Sequence, residues 1–222
     1  MALILNIETA TRNCSVALAR EGQTLASRDY AGEGYSHAEK LHVFIDEVLR
    51  EASVSSSDLD AVAVGRGPGS YTGLRIGVSS VKGFCYALGI PLIAVDSLQI
   101  LARQIEIESG LIIPMIDARR MEVYSAVYDK NYNEERGTEA EILTAESYAD
   151  YKEDLFFIGD CQEKVRSVLT ADNFHFVPEA EFPRAIEMSV PSYEKFLRGD
   201  FLDVAYFEPF YLKDFIAGKP PK

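Results

Sequence analysis

The sequence predicts an α/β protein of two lobes, each built on a mixed sheet that a β-hairpin opens. Three observations carry this prediction. An apolar strand ending in an acid, a turn and a second strand occur twice, as Ile7-Glu8 before Cys14-Ser15-Val16-Ala17-Leu18 and as Ile116-Asp117 before Val123-Tyr124-Ser125-Ala126-Val127. Strand-like runs alternate with segments of helical periodicity, the order that α/β layers produce. A glycine-rich stretch, Gly65-Arg66-Gly67-Pro68-Gly69-Ser70-Tyr71-Thr72-Gly73-Leu74-Arg75-Ile76-Gly77, is entered by an apolar strand (Ala61 to Val64) and left by a helical pattern. A chain of 222 residues has room for two small domains. We divide it into residues 1–100 and 101–204, with 205–222 packing back on the first lobe.

In order, Leu3 to Ile7 is a strand, Ser15 to Ala19 a second and Thr24 to Asp29 a third, an antiparallel meander with a turn at Glu21-Gly22. Ser36, with Glu39 three residues on, forms a capping box, and Leu41, Phe44, Ile45, Val48 and Leu49 then recur at helical spacing. The next helix runs from Thr72 to Leu88, N-capped by Thr72 or Ser70. Leu74, Val78, Val81 and Cys85 mark one of its faces, while Gly73, Gly77, Ser80 and Gly83 set small residues along it. Glycine inside a helix costs about 1 kcal/mol against alanine, so this series predicts close approach by neighbours, from within the domain or from a partner chain. Pro91 to Val95 is a buried strand, and Asp96 or Ser97 caps a helix to Glu108. The second lobe brings strands at Leu111 to Asp117 and Glu122 to Tyr128, a polar loop over 129–137, and strands at Glu139 to Leu143 and Leu155 to Ile158. A helix follows from Asp160 to Leu169; Pro183 to Leu197 is also helical, broken or bent by Pro191, and Glu208 to Lys213 is extended.

The glycine stretch nearly fits two phosphate motifs and matches neither. A P-loop needs Lys-Ser or Lys-Thr after its last glycine, and no lysine lies between Lys40 and Lys82. A dinucleotide fingerprint needs Gly-x-Gly-x-x-Gly, and Thr72 stands where the third glycine belongs. The turn into the helix still offers free N–H groups and a positive dipole end to an anion. Glu8, Thr9, Gly67, Gly69, Ser70 and Thr72 therefore form a candidate nucleotide or phosphate loop, against the plainer alternative of a tight turn that binds nothing.

Composition narrows the classes. A hydrophobic fraction of 47% with 26% charged residues is that of a globular protein, and no run approaches the roughly 18 apolar residues of a membrane helix. The N-terminus enters a strand without a basic leader, so a cytoplasmic location is expected. Cys14, Cys85 and Cys161 are far apart and odd in number, which suits neither a disulfide framework nor a zinc site. The net charge is −13, and residues 101–222 hold 24 of the 35 acids. Such a chain repels phosphate, so contact with nucleic acid is expected only through a partner.

Paired acid-ended hairpins, each opening a mixed α/β lobe, are how the actin, sugar kinase and Hsp70 class is built, the ASKHA or ribonuclease H-like fold. Within it, Ile7-Glu8-Thr9-Ala10-Thr11, the glycine stretch, Ile116-Asp117-Ala118-Arg119 and the tail Pro209-Phe210-Tyr211-Leu212-Lys213 together resemble the TsaB (YeaZ) family over the whole chain. The resemblance implies a non-catalytic subunit. It would work with a TsaD-like paralogue and a TsaE-like ATPase to form threonylcarbamoyladenosine next to the anticodon of tRNAs reading codons that begin with adenine. ATP, ADP and metal would belong to those partners. The expected partner surface, shared by a homodimer of the isolated chain, is Leu41, Phe44, Ile45 and Val48 on the first helix with Leu74, Gly77, Val78, Ser80, Val81 and Phe84 on the second.

The alternative is an actin-like enzyme in its own right, a small-molecule kinase or an M22-type metallopeptidase. The residues speak against it. TsaD-like proteins hold a metal with His-x-x-x-His, whereas His37 and His42 are five apart, about 140° around a helix. Neither hairpin has glycine at its turn, where Thr9-Ala10-Thr11 and Ala118-Arg119-Arg120 stand, and Ser70 lies outside a nucleophile elbow. No catalytic residue and no metal site is expected.

Overall fold

The computed structural model describes residues 1–32 and 37–213, so the capping box at Ser36 lies outside the described residues. The first sheet contains β1 (Leu3–Glu8), β2 (Asn13–Arg20), β3 (Gln23–Ala31), β4 (Ala61–Gly65) and β5 (Leu92–Val95), in the order β3-β2-β1-β4-β5. The first three strands are antiparallel, and β4 and β5 join in parallel. Every residue of β1 and β4 is buried because both faces of the sheet are covered. Leu3, Leu5, Ile7, Val62 and Val64 face α1 (His37–Glu51) and α2 (Tyr71–Leu88), whose Leu41, Ile45, Val48, Val78, Val81 and Cys85 complete that core.

The opposite face, with Ile4, Ala17, Ala63, Ile93 and Val95, is covered late in the chain. A 3-10 turn at Ala185–Met188 and the helix from Ser189 to Arg198 supply Ala185, Met188, Tyr193 and Phe196. Pro191 does not break this helix: it is the third residue, where a missing N–H costs no helical bond. Leu202 then bridges to Leu92. Residues 185–202, assigned from sequence to the second lobe, therefore pack on the first.

The second sheet contains β6 (Leu111–Asp117), β7 (Glu122–Tyr128), β8 (Glu134–Ile142), β9 (Leu155–Gly159) and β10 (Phe174–Phe176), in the order β10-β9-β6-β7-β8. β8 begins inside the predicted polar loop; as an edge strand it tolerates the charged run Glu134-Glu135-Arg136. Between the sheets lies α3 (Ser97–Ala102), which ends well before Glu108. Its Ile100 joins the first sheet's core, while Leu98, Leu101 and Ala102 pack with Ile112, Ile116, Ala126, Tyr128 and Ile158 of the second. A lobe boundary after residue 100 thus runs through a helix that both cores share. The remaining helices are α4 (Gln162–Arg166), shorter than predicted, and α5 (Ser189–Arg198). No described helix is long and apolar enough to cross a membrane.

Candidate functional site

The turn of the first hairpin is buried under the glycine stretch. The register Ile7↔Val64 sets Glu8 beside Gly65, where a Cβ would overlap the Glu8 carboxyl. Side chains at Gly69 and Gly73 would overlap the carbonyls of Ala10 and Thr9, and one at Gly77 the hydroxyl of Thr9. Hydrogen bonds stitch the same contact: Ser70 N donates to Ala10 O at 2.6 Å and Thr9 Oγ1 to Gly73 O at 2.9 Å. Ser70, not Thr72, caps α2, its Oγ accepting from Gly73 N at 3.3 Å.

The candidate phosphate loop is therefore filled by the chain's own hairpin. Glu8 and Thr9 are 0% exposed. Gly67 is buried, Gly69 and Ser70 are half-buried, and Thr72 alone is exposed, on the rim of α2. The structure brings these residues together around backbone rather than around an opening, which corrects the phosphate-loop reading. Glu8 Oε1 accepts from Ala10 N at 2.6 Å and Oε2 from Ser97 Oγ at 2.8 Å. Its partners are an N–H and a hydroxyl, not a cation, so burial dominates and pushes its pKa up to about 7.

A side chain closes the second hairpin. Lys164 Nζ donates to Arg120 O at 3.0 Å and Glu122 O at 2.7 Å and pairs with Asp117. Arg119 and Arg120 hold left-handed conformations at φ 71° and 54°. Asp160 accepts from Asp117 N at 2.8 Å, and burial raises its pKa to about 6. Among the described residues no group of three His, Cys, Asp or Glu side chains is placed to hold a metal ion.

The expected partner surface divides in two. Leu41, Ile45, Val48, Leu74, Val78 and Val81 are at most 5% exposed and belong to the first lobe's core, as does Gly77 against Thr9. These seven are corrected as surface residues, because the apolar stripes of α1 and α2 face the sheet. Phe44, Phe84 and Ser80 remain half-buried at the surface. Beside them a shallow groove of about 560 Å³ opens between α1 and α2, lined by His42, Tyr71, Arg75, Ile76, Ser79 and Ser80. Ser80 Oγ lies 3.4 Å from His42 Nε2, and the His42 ring stacks on Phe84 with centroids 6.5 Å apart. Sequence reasoning missed Tyr71, Arg75, Ile76 and Ser79. Their signal is the i, i+4 series Tyr71-Arg75-Ser79 and Ile76-Ser80, off the apolar stripe. Gly83 is exposed on the same helix, and a Cβ there would meet nothing within 4 Å.

Two mixed sheets opened by acid-ended hairpins and joined through a shared helix define a two-lobed α/β protein of the actin-like class. The ethanolamine utilization protein EutJ from Carboxydothermus hydrogenoformans shares the fold at a TM-score of 0.52 and 10% identity, over 86% of this chain and 90% of that one. A family model described as TsaD, tRNA N6-adenosine threonylcarbamoyltransferase, matches residues 34–200. The tRNA threonylcarbamoyladenosine biosynthesis protein TsaB of Escherichia coli (strain K12) is 31% identical over 232 residues, covering 97% of this chain and 96% of that one. TsaB of Bacillus subtilis (strain 168) is 37% identical over 126 residues, 56% of this chain and 54% of that one. YeaZ from Pseudomonas aeruginosa superposes with a TM-score of 0.80 at 32% identity, over 96% of this chain and all of that one. The chain belongs to the TsaB (YeaZ) family.

Proposed function

We propose that this chain is a non-catalytic scaffold subunit of tRNA threonylcarbamoyladenosine synthesis, acting in the cytoplasm with a TsaD-like transferase and a TsaE-like ATPase. The product is threonylcarbamoyladenosine next to the anticodon of tRNAs reading codons that begin with adenine. Nucleotide, metal and tRNA belong to the partner subunits. Support for the pathway comes from a relative that carries its name and matches nearly the whole chain. Support for a scaffold role comes from one observation above all: both acid-ended hairpins are closed by the chain's own groups, the glycine stretch on Glu8 and Lys164 on Asp117.

The groove between α1 and α2 is the proposed docking surface for the paralogue, and for a second copy when the chain is isolated. Gly83, three residues past Ser80, favours a partner on α2: an exposed helical glycine gives up about 1 kcal/mol against alanine, and among the described residues nothing stands within 4 Å of where its Cβ would lie. Reconstitution is the test. Omitting this chain from a mixture of TsaD-like and TsaE-like proteins, ATP and tRNA is expected to abolish modification, and the chain alone to give none. Full modification without it, or modification by it alone, overturns the proposal.

A further inference from the structure

The tail segment 208–213 touches both lobes. Phe210 N donates to Arg66 O at 2.8 Å, and the Arg66 guanidinium, held by Asp96 at 2.6 Å, stands 5.6 Å from the Phe210 ring centroid. Gly67, at φ 100°, leaves the space that Phe210 O enters: a Cβ there would lie 3.2 Å from that oxygen. One residue on, the Tyr211 ring centroid is 5.1 Å from that of Tyr71. Arg75 packs 4.2 Å from the Tyr71 centroid, and the Tyr211 side chain beside it raises its pKa. At the far end Lys213 pairs with Glu122 and lies 5.9 Å from the Tyr124 ring, both in β7. Six residues of irregular backbone thus run from Tyr71 and Arg75, which line the α1/α2 groove, to the hairpin of the second lobe.

We propose that residues 208–213 are a strap that couples the groove to the β6–β7 hairpin, so that what occupies the groove alters the motion of that hairpin. The biological use of the strap rests on the groove being a docking site; the coupling itself is a property of the isolated chain. Its anchors are few and face solvent, with Phe210 36% and Tyr211 37% exposed, which makes the strap one of the less firmly held parts of the fold. A group that draws Arg75 into the groove takes it off the Tyr71 ring, against which Tyr211 rests. The tail is then held at its first-lobe end by Phe210 and by the Tyr211 ring against a less firmly held Tyr71, and Lys213 approaches Glu122 from a looser point.

Hydrogen exchange on the isolated chain, read by mass, tests this with Arg75→Ala, Lys213→Ala and the double variant. Arg75→Ala is expected to speed exchange of the 121–124 amides by about threefold or more, and to add nothing there once Lys213→Ala is present. Unchanged exchange at 121–124 in Arg75→Ala overturns the proposal, as does an equal effect of Arg75→Ala with and without Lys213. Tyr211→Ala removes the ring that rests on Tyr71, and serves in the same comparison should Arg75→Ala not fold. A reconstituted mixture that needs no scaffold would sink the proposed function without touching these rates, so the two readings fail separately.

Discussion

Gly77 rests directly on Thr9: a Cβ at position 77 would overlap the Thr9 hydroxyl, which donates to Gly73 O at 2.9 Å. The glycine is there because a neighbouring side chain fills its space. Gly77→Ala is expected to destabilise the fold by about 1–3 kcal/mol, although alanine is the better helix former by about 1 kcal/mol. In a Thr9→Ala background the same substitution should cost far less. Urea denaturation of the four proteins checks this, and fully additive penalties would sever glycine from threonine.

Burial raises Glu8 from 4.5 to about 7 and Asp160 from 3.8 to about 6. Between those values the folded protein keeps protons that the unfolded chain has lost, so the contribution of these two groups to stability falls as pH rises from 3.8 to about 7 and then levels. Asp58, Asp129 and Asp200, whose pKa values hydrogen bonds lower, act with the opposite sign only below 3.8, and His37, whose pKa burial lowers, acts with the opposite sign below 6.5. Glu8→Gln is expected to gain about 2–3 kcal/mol over wild type at pH 8 and nothing at pH 4. Melting temperatures across this range decide the matter. A Glu8→Gln advantage that does not grow between pH 4 and pH 8 contradicts it.

The turn between β6 and β7 holds two arginines at positive φ, 71° at Arg119 and 54° at Arg120, where hairpins usually place Asn-Gly. Replacing the pair by Asn-Gly relieves that strain. We expect a gain of about 1 kcal/mol in thermal or chemical denaturation. A loss instead would mean that the arginine side chains, both exposed, hold the turn in a way backbone preference does not reveal.

Ser80→Arg puts a long cation into the groove without entering the core, since Ser80 is half-buried and faces His42. The variant is expected to fold as wild type by circular dichroism, and to lose both self-association and binding to the TsaD-like paralogue. Sedimentation of the variant alone and with that protein is the measurement. Unaltered association by a folded variant moves the docking surface elsewhere.

Much of the fold is written in local pattern. Leu41, Ile45 and Val48 repeat at helical spacing because one side of α1 meets a sheet, and the all-apolar β1 and β4 announce a sheet covered twice. The site was less legible. Apolar periodicity marks the face of α2 that is buried, and the sequence does not say whether the cover is the chain's own sheet or another protein. What Gly73 and Gly77 accommodate is Thr9, more than 60 positions away for the Thr9–Gly73 bond, a pairing that no local window contains. The same distance hid the return of residues 185–198, whose helical pattern gives no hint of which lobe it covers.

That return bears on how the chain is made. Ile4, Ala17, Ala63, Ile93 and Val95 belong to strands complete by residue 95, yet the segment that shields them, 185–198, leaves the ribosome only after some ninety further residues. At a synthesis rate of roughly 5–20 residues per second, the nascent sheet stands with one greasy side bare for several seconds or more. During that interval the growing polypeptide is a ready client for whatever chaperone waits at the exit tunnel.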